Sequence, residues 1–562
     1  MKELHIKASR AQISRAAIQR LYIAMRHLFI RGSYKPLGVS GEAMIDALLD
    51  LKPEIYGSMA DTERVELQGL HYIFQRLPLG IEECQYIRLI TREGYESGKG
   101  FEPIVPAKRR RDCFRIDDDH MYIEMTRGRS DVYDVLTHLT FLYIEAEKIR
   151  RSALDHRGRK RREWVMLEEI VEKIRAKKKY NKAVAYSYLS FLLGRTYNET
   201  VEAAELWEKT DKVNSLINIV YWMGKLSIRE HVKGSDREIS FSSTLREKLG
   251  LHIFGAVWAQ NIKRQLEERN LLDKEIHVVS ANMHSVMNSL YGGSGRGKSD
   301  ASFYKKMQTV SKNKTHQKKI KSTALKSGMT VFEDSSGVNI DVQIIELSKV
   351  KEGQLPPSLK ANYSTTRLRN KILLVMDYAF GEQAYECMDE LLKPYENQGD
   401  KQYLNIKSIN IMGKAGILEG KKGDIMVPNA HIFEGSADNY PFKNSLKVSE
   451  FENVGVGVCA GPMITVLGTS LQNRDVLRYF NRSSWKAIGL EMEGAHYQKA
   501  IQAASKIRNS IHKKVELRYA YYASDNPLET GSTLASGGLG TEGVIPTYAI
   551  TLAILKGIFS KG

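Results

Sequence analysis

The sequence predicts an α/β fold in two parts: a mainly α-helical region over residues 1–270, and a mixed sheet flanked by helices over residues 271–562. Three observations lead there. In the second part, short apolar runs end in polar residues and pass into segments with helical spacing, the repeating unit of a parallel sheet. In the first part, apolar residues recur at three- and four-residue intervals over long stretches. A chain of 562 residues is also too long for one core.

Composition bounds the function classes. A hydrophobic content of 42% with 9% aromatics belongs to a folded globular protein, not to a disordered one. The four cysteines, Cys84, Cys113, Cys387 and Cys459, form no Cys-x-x-Cys pair. That argues against a zinc site and a disulfide framework, and fits a reducing compartment. Residues 1–10 lack the apolar core of a signal peptide. With no apolar run near the ~18 residues of a membrane span, the expectation is a cytoplasmic protein without membrane contact. A net charge of +18, from 84 basic and 66 acidic residues, favours an anionic partner. A small nucleotide, a nucleic acid or an acidic surface would each satisfy it.

Taken in order, residues 13–30 place Ile13, Ala16, Ala17, Leu21, Ala24 and Leu28 at helical spacing, and Gly32 ends the run. Residues 132–149 form a second helix, with Val135, Leu136, Leu139, Leu142 and Tyr143 on one stripe. Residues 164–174, 183–193 and 198–207 continue the helical pattern. Basic runs at residues 108–111 and 157–162 read as solvated connections; a nucleic-acid surface is open but not favoured, because no aromatic pattern accompanies them. His138 reads as a packed or hydrogen-bonded core histidine.

Near Leu272 the pattern changes. Residues 276–282 read as a strand, followed by Met283, Val286, Met287 and Leu290 at helical spacing. Residues 292–326, rich in glycine and lysine, read as a basic, exposed insertion. Strands are then expected at 329–332, 338–347, 371–376 and 406–412, with a helix through Leu392 and a last apolar helix at 545–559.

Two motifs carry chemistry. Ile488-Gly-Leu-Glu-Met-Glu-Gly-Ala495 sets two glutamates at the start of a helix, and Tyr522-Ala-Ser-Asp-Asn-Pro527 ends an apolar run on a carboxylate. A strand ending in Ser-Asp puts that carboxylate at the carboxyl edge of a sheet, where ligands of open α/β folds bind. The plainer alternative is that Glu491 and Glu493 favour a helix start and Asp525 caps a turn. A rival string, Gly292-Gly-Ser-Gly-Arg-Gly-Lys-Ser299, matches the phosphate-loop pattern, with residues 372–377 as its magnesium-holding strand. A phosphate loop joins a strand directly to a helix, however, and a helix-like run precedes these glycines.

The motif pair resembles the signature of the purine nucleoside phosphorylase and nucleosidase superfamily, Glu-Met-Glu-Gly-Ala followed by Ser-Asp. Further stretches match in order: Asp377-Tyr-Ala-Phe-Gly-Glu-Gln-Ala-Tyr385, Gly413-Lys-Ala-Gly-Ile417, Gly423-Asp-Ile-Met-Val-Pro428 and Phe433-Glu-Gly-Ser-Ala-Asp-Asn-Tyr440. Within the superfamily the likeness is greatest to AMP nucleosidase and covers the second half only. Ala379 and Ile417 replace glycines of that pattern, and the arginine expected before Phe433-Glu is missing.

The resemblance implies a nucleoside phosphorylase-like catalytic domain that cleaves the N-glycosidic bond of a purine nucleoside or nucleotide, in a homo-oligomer with no cofactor and no metal. It makes Asp525, held by Ser524, the proton donor to the departing base, and Glu493 the partner of the ribose hydroxyls. Met492 packs on the sugar, and Glu491 is structural. Gly381, Glu382, Gly413, Lys414, Glu434 and His284 complete the expected substrate-binding set, His284 and Glu382 doubling as candidates for activating water. Phosphorolysis would need a basic cradle for free phosphate. The superfamily's two arginine positions hold Ile411 and Asn282-Met-His-Ser285 here, which favours hydrolysis to free base and ribose or ribose 5-phosphate. The alternatives are a nucleotide-binding sensor using the same pocket, a purine nucleoside phosphorylase and, least favoured, a phosphate-loop NTPase.

Overall fold

The computed structural model describes residues 9–92, 101–109, 111–210, 215–234, 236–293, 299–397, 399–436, 438–529 and 540–560. These form two compact units. The first comprises Met1–Thr126, Asp131–Leu251 and Ser470–Val476; the second comprises Arg127–Ser130, His252–Thr469 and Leu477–Gly562.

The first unit is helical, as expected. Its opening helix, Arg10–Arg31, starts in a capping box on Ser9, buries Ala17, Ile18, Leu21, Met25 and Leu28 along one stripe, and stops at Gly32, whose φ of 85° suits a glycine. The unit also contains a sheet that sequence periodicity does not reveal. Its order is Ser33–Tyr34, Glu238–Phe241, Tyr86–Ile90, His120–Glu124, Cys113–Arg115. Strands this short cannot establish a period of two, and the central one takes parallel partners from distant parts of the chain.

One basic run proves to be structural. Arg109 pairs with Asp134 at 2.8 Å, and Arg111 reaches Asp131 at 2.8 Å and Asp134 at 2.5 Å. Arg111 and Asp131 are each 1% exposed, so Arg111 is not in the solvated connection that the sequence suggested. His138 joins the cluster, with Nε2 3.3 Å from Asp134 and Nδ1 3.0 Å from the Tyr56 hydroxyl, the hydrogen-bonded histidine that was expected. Residues 157–162 do form an exposed connection.

The second unit is built on a mixed sheet of ten strands flanked by helices. Glu275–Ser280 lies between Ile406–Ile417 and Lys371–Met376, parallel to both. Beyond Lys371–Met376 come Val342–Glu346 and Met329–Phe332, each antiparallel to its neighbour. On the other side the sheet closes on itself. Ile406–Ile417 pairs with Gly489–Glu491, which pairs with Val458–Thr465, then Ile425–Phe433, then Glu516–Asp525, and this last strand returns to Ile406–Ile417.

The apolar final helix, Val544–Ser560, packs with Met283–Tyr291 over the face that carries Met412 and Ala520. The glycine- and lysine-rich insertion is not simply an exposed loop. After residues 294–298, which lie outside the described residues, it forms the helices Asp300–Ser311 and Lys314–Lys326. Phe303, Met307 and Val310, at i, i+4 and i+7, bury their side chains in the same core as the final helix, with Ile320 and Ala324. The element before the glycines is the helix Met283–Tyr291. That is not the strand-to-helix turn a phosphate loop requires. Among the described residues no helix is long and apolar enough to cross a membrane.

Candidate active site

The site lies where one edge of Ile406–Ile417 changes partner. That edge pairs with Glu275–Ser280 up to Ile411 and with Gly489–Glu491 from Gly416 onward. These two neighbours run in opposite senses, so their carboxyl ends point toward each other across residues 412–415. Such a switch point is where open α/β sheets bind ligands. Glu516–Asp525 follows the opposite edge and ends with Asp525 paired to Gly416. Leu490, also paired to Gly416, flanks it on the first edge. Neighbouring strands lie about 4.8 Å apart, so the Glu-Met-Glu turn and Asp525 stand one strand on either side of Ile406–Ile417.

Asp525 is 4% exposed. Its Oδ1 is 2.5 Å from the Ser524 hydroxyl, which is also 3.2 Å from the Ala415 carbonyl. The serine proton can serve only one of the two at a time. When it goes to Asp525 Oδ1, a neutral Asp525 carries its own proton on Oδ2. Burial raises the Asp525 pKa, against the Ser524 hydroxyl and the charge of Lys414. Asp525 Oδ2 is buried without a hydrogen-bond partner.

Glu491 and Glu493 divide two tasks. Glu491 is buried and accepts from the Thr465 hydroxyl on Oε1 at 2.5 Å, while its Oε2 accepts the amides of Glu493, at 2.5 Å, and of Gly494. Thr465 in turn accepts from the Ala495 amide at 2.9 Å. Glu491 is therefore committed to holding the turn. Burial and the neighbouring Glu493 nevertheless push its pKa up to about 8. Glu493 is only partly buried, and its Oε1 accepts the Gly381 amide at 2.9 Å. Desolvation pushes its pKa up to about 7, against the Gly381 amide and the field of Arg127.

Gly381 has φ +55°, and a Cβ there would fall 2.4 Å from Ser130 Oγ and 3.7 Å from Met492 Cε. Only glycine fits this close approach without strain. Tyr497, on the helix Gly494–Gln502, binds the Ser280 hydroxyl at 3.0 Å and so anchors the end of a second strand beside the turn. These contacts bring Gly381, Met492 and Glu493 together.

Four residues of this unit were not anticipated. Ser130 accepts the Glu382 amide at 2.9 Å, and Arg129 reaches the Glu382 carboxylate at 3.2 Å. Arg127 lies over the Phe380 ring at 5.0 Å, and a Cβ on Gly128 would crowd Gln383 at 3.2 Å. The signal was the string Thr126-Arg-Gly-Arg-Ser130, a polar break ahead of a strongly apolar helix.

The remaining expected residues are placed as follows. Gly413 faces Tyr521 and Tyr378, where an added Cβ would meet only ordinary contacts at 3.5 and 3.9 Å. Lys414 is exposed and lines a neighbouring cavity together with His284. Glu434 is 1% exposed. Its Oε2 takes the Leu467 amide at 3.4 Å, its Oε1 has no partner, and burial pushes its pKa up to about 7. Among the described residues no group of three or more His, Cys, Asp or Glu is arranged to hold a metal ion.

Comparison with known proteins places the chain. A sequence family described as "Family of unknown function (DUF6909)" matches residues 42–302 and 295–560, so the chain belongs to that family. No curated protein matches it. Solved structures similar to it include the 5′-methylthioadenosine/S-adenosyl homocysteine nucleosidase of Campylobacter jejuni, at 12% identity and a TM-score of 0.30, covering 51% of this chain and 99% of that one. A futalosine hydrolase mutant of Helicobacter pylori is similar at 12% identity and a TM-score of 0.30, over 50% and 98% of the two chains. The nucleosidase of Neisseria meningitidis in complex with methylthio-immucillin-A is similar at 9% identity and a TM-score of 0.31, over 50% and 99%.

Proposed function

We propose that this member of the family hydrolyses the N-glycosidic bond of a purine nucleoside or nucleotide. The observation that carries the reading is Asp525: a buried carboxyl with a raised pKa, one oxygen on Ser524 and the other without a partner. A departing purine needs a proton on a ring nitrogen, and a carboxyl whose pKa burial has raised is better suited to deliver it. The Oδ2 oxygen is the donor. As the proton leaves Oδ2, the Ser524 hydroxyl, 2.5 Å from Oδ1, donates to the new carboxylate and steadies its charge.

The sugar becomes cationic as the bond breaks. Glu493, fixed by the Gly381 amide, supplies the compensating charge and accepts from the ribose hydroxyls, while the buried Met492 gives the sugar an apolar surface. Of the two candidates for activating water, Glu382 is better supported. It adjoins the Gly381 amide that holds Glu493, whereas His284 lines the neighbouring cavity beyond Lys414. Water is favoured over phosphate because the two positions expected to carry arginines hold a buried Ile411 and Asn282 to Ser285. The test is chromatography of purine nucleosides and nucleotides incubated with the protein. Release of free base, lost in Asp525→Asn, supports the reading; the absence of base release from the whole panel contradicts it.

A further inference from the structure

A cavity of about 540 Å³ opens beside the proposed site, within the range of small-molecule pockets. Its lining includes four lysines: Lys314, Lys318 and Lys321 from the helix Lys314–Lys326, and Lys414 from the strand Ile406–Ile417. Positions 314, 318 and 321 follow i, i+4 and i+7, so one face of the helix borders the cavity with exposed lysines. Asn282 and His284, at the first turn of the helix Met283–Tyr291, line the same space, and no carboxylate does among the described residues. None of the four lysines forms an ion pair with a described residue, although the charge of Lys414 reaches Asp525 and opposes the rise of its pKa. Four like charges around one cavity repel each other unless an anion joins them.

Position ties the cavity to the chemistry. Lys414 pairs with Tyr522, which also lines the cavity, and two positions further along the strand Gly416 pairs with Asp525. Two strand residues span about 6.7 Å, less than the length of a nucleoside. A ligand whose base meets Asp525 can therefore extend past Lys414 into the cavity. Lys314 and Lys321 are about 10 Å apart along their helix axis with Lys318 between them, a row of positions longer than one phosphate. An extended anion would engage them all.

We propose that this cavity binds the phosphate chain of the substrate, and that the substrate is a nucleotide carrying two or more phosphates rather than a nucleoside. The inference rests on the glycosidase reading and names the substrate class for that same site. The +18 net charge acquires a specific use, and the insertion that carries the three lysines becomes a specificity element.

The test measures binding and turnover separately. Calorimetry with adenosine, AMP, ADP and inorganic phosphate should show ADP binding tightest and adenosine weakest. Removing Lys314, Lys318 and Lys321 as alanine variants should weaken ADP by about tenfold per lysine, as expected for charge-assisted contacts. Lys319→Ala, on the same helix but outside the cavity, should leave ADP binding unchanged. ADP affinity that is indifferent to all three lysines overturns the proposal, as does adenosine binding as tightly as ADP. Base release that rises with added phosphate and yields ribose 1-phosphate also overturns it, by making the cavity a site for free phosphate. Lysine-dependent ADP binding with no base released from any compound would sustain the anion site and sink the glycosidase reading alone.

Discussion

At the scale of single residues, Asp525 and Glu493 are asked to be in opposite protonation states. Asp525→Asn keeps the shape and removes the proton, so kcat should fall by ~10²–10⁴-fold with ligand affinity largely kept. Turnover equal to that of the unaltered protein would remove Asp525 from the mechanism. Glu493 must be ionised to favour a cationic sugar, and desolvation has pushed its pKa up to about 7. Below that pH it carries a proton and loses its charge, so kcat/KM should decline on the acid side. In Glu493→Gln this acid limb should vanish along with most of the rate. A variant that keeps the limb would place that ionisation elsewhere.

At the scale of elements, the turn after Lys371–Met376 is shaped to present one amide. Gly381→Ala would put a Cβ against Ser130 Oγ in a left-handed backbone, costing about 1–2 kcal/mol from the backbone alone. It should also draw the amide away from Glu493, lowering kcat/KM more than it lowers the melting temperature; a change in stability with full activity would show that the amide contact is dispensable. In the first unit, Asp134→Ala would leave Arg109 and Arg111 without their shared carboxylate. Breaking a buried pair in this way costs about 3–5 kcal/mol, readable as a lower denaturation midpoint, and a midpoint within error of the unaltered protein would refute the buried network.

The elements legible in the sequence are those with a long or doubly marked pattern. The stripe from Ala17 to Leu28, the strand Lys371–Met376 and the Glu-Met-Glu turn each declare themselves locally. Arg109 and Arg111 do not, because their partners Asp131 and Asp134 lie more than a helical turn of sequence away, and a basic run looks the same whether solvated or paired. Ser130 is visible only once Glu382, 252 residues on, is known to lie against it. Lys314, Lys318 and Lys321 were legible as charge, but a sequence does not say which face of a helix borders a cavity.

At the scale of the whole molecule, buried and partly buried ionisable groups shape the pH dependence of stability. Glu434 and Glu493 are pushed up to about 7 and Glu491 to about 8, while His277, His431 and His496 are pushed down to about 3, all chiefly by burial. Below the ordinary histidine pKa of ~6.5 the two sets oppose each other. Between pH 6.5 and 8 the histidines are neutral in both states, whereas the folded carboxylates hold protons that the unfolded chain has released. The folded state then binds more protons, so stability falls as pH rises through this window. Melting temperatures at pH 6.5 and 8 should differ in that direction, and Glu434→Gln should reduce the difference; a rising melting temperature would contradict the assignment of these carboxyls. The account as a whole depends on one bond being broken by water. The most direct measurement is the identity of the sugar released with the purine, at several phosphate concentrations. Ribose or a ribose bearing only its original 5′-phosphates, formed at a rate independent of added phosphate, is the predicted result; ribose 1-phosphate appearing in proportion to phosphate would contradict it.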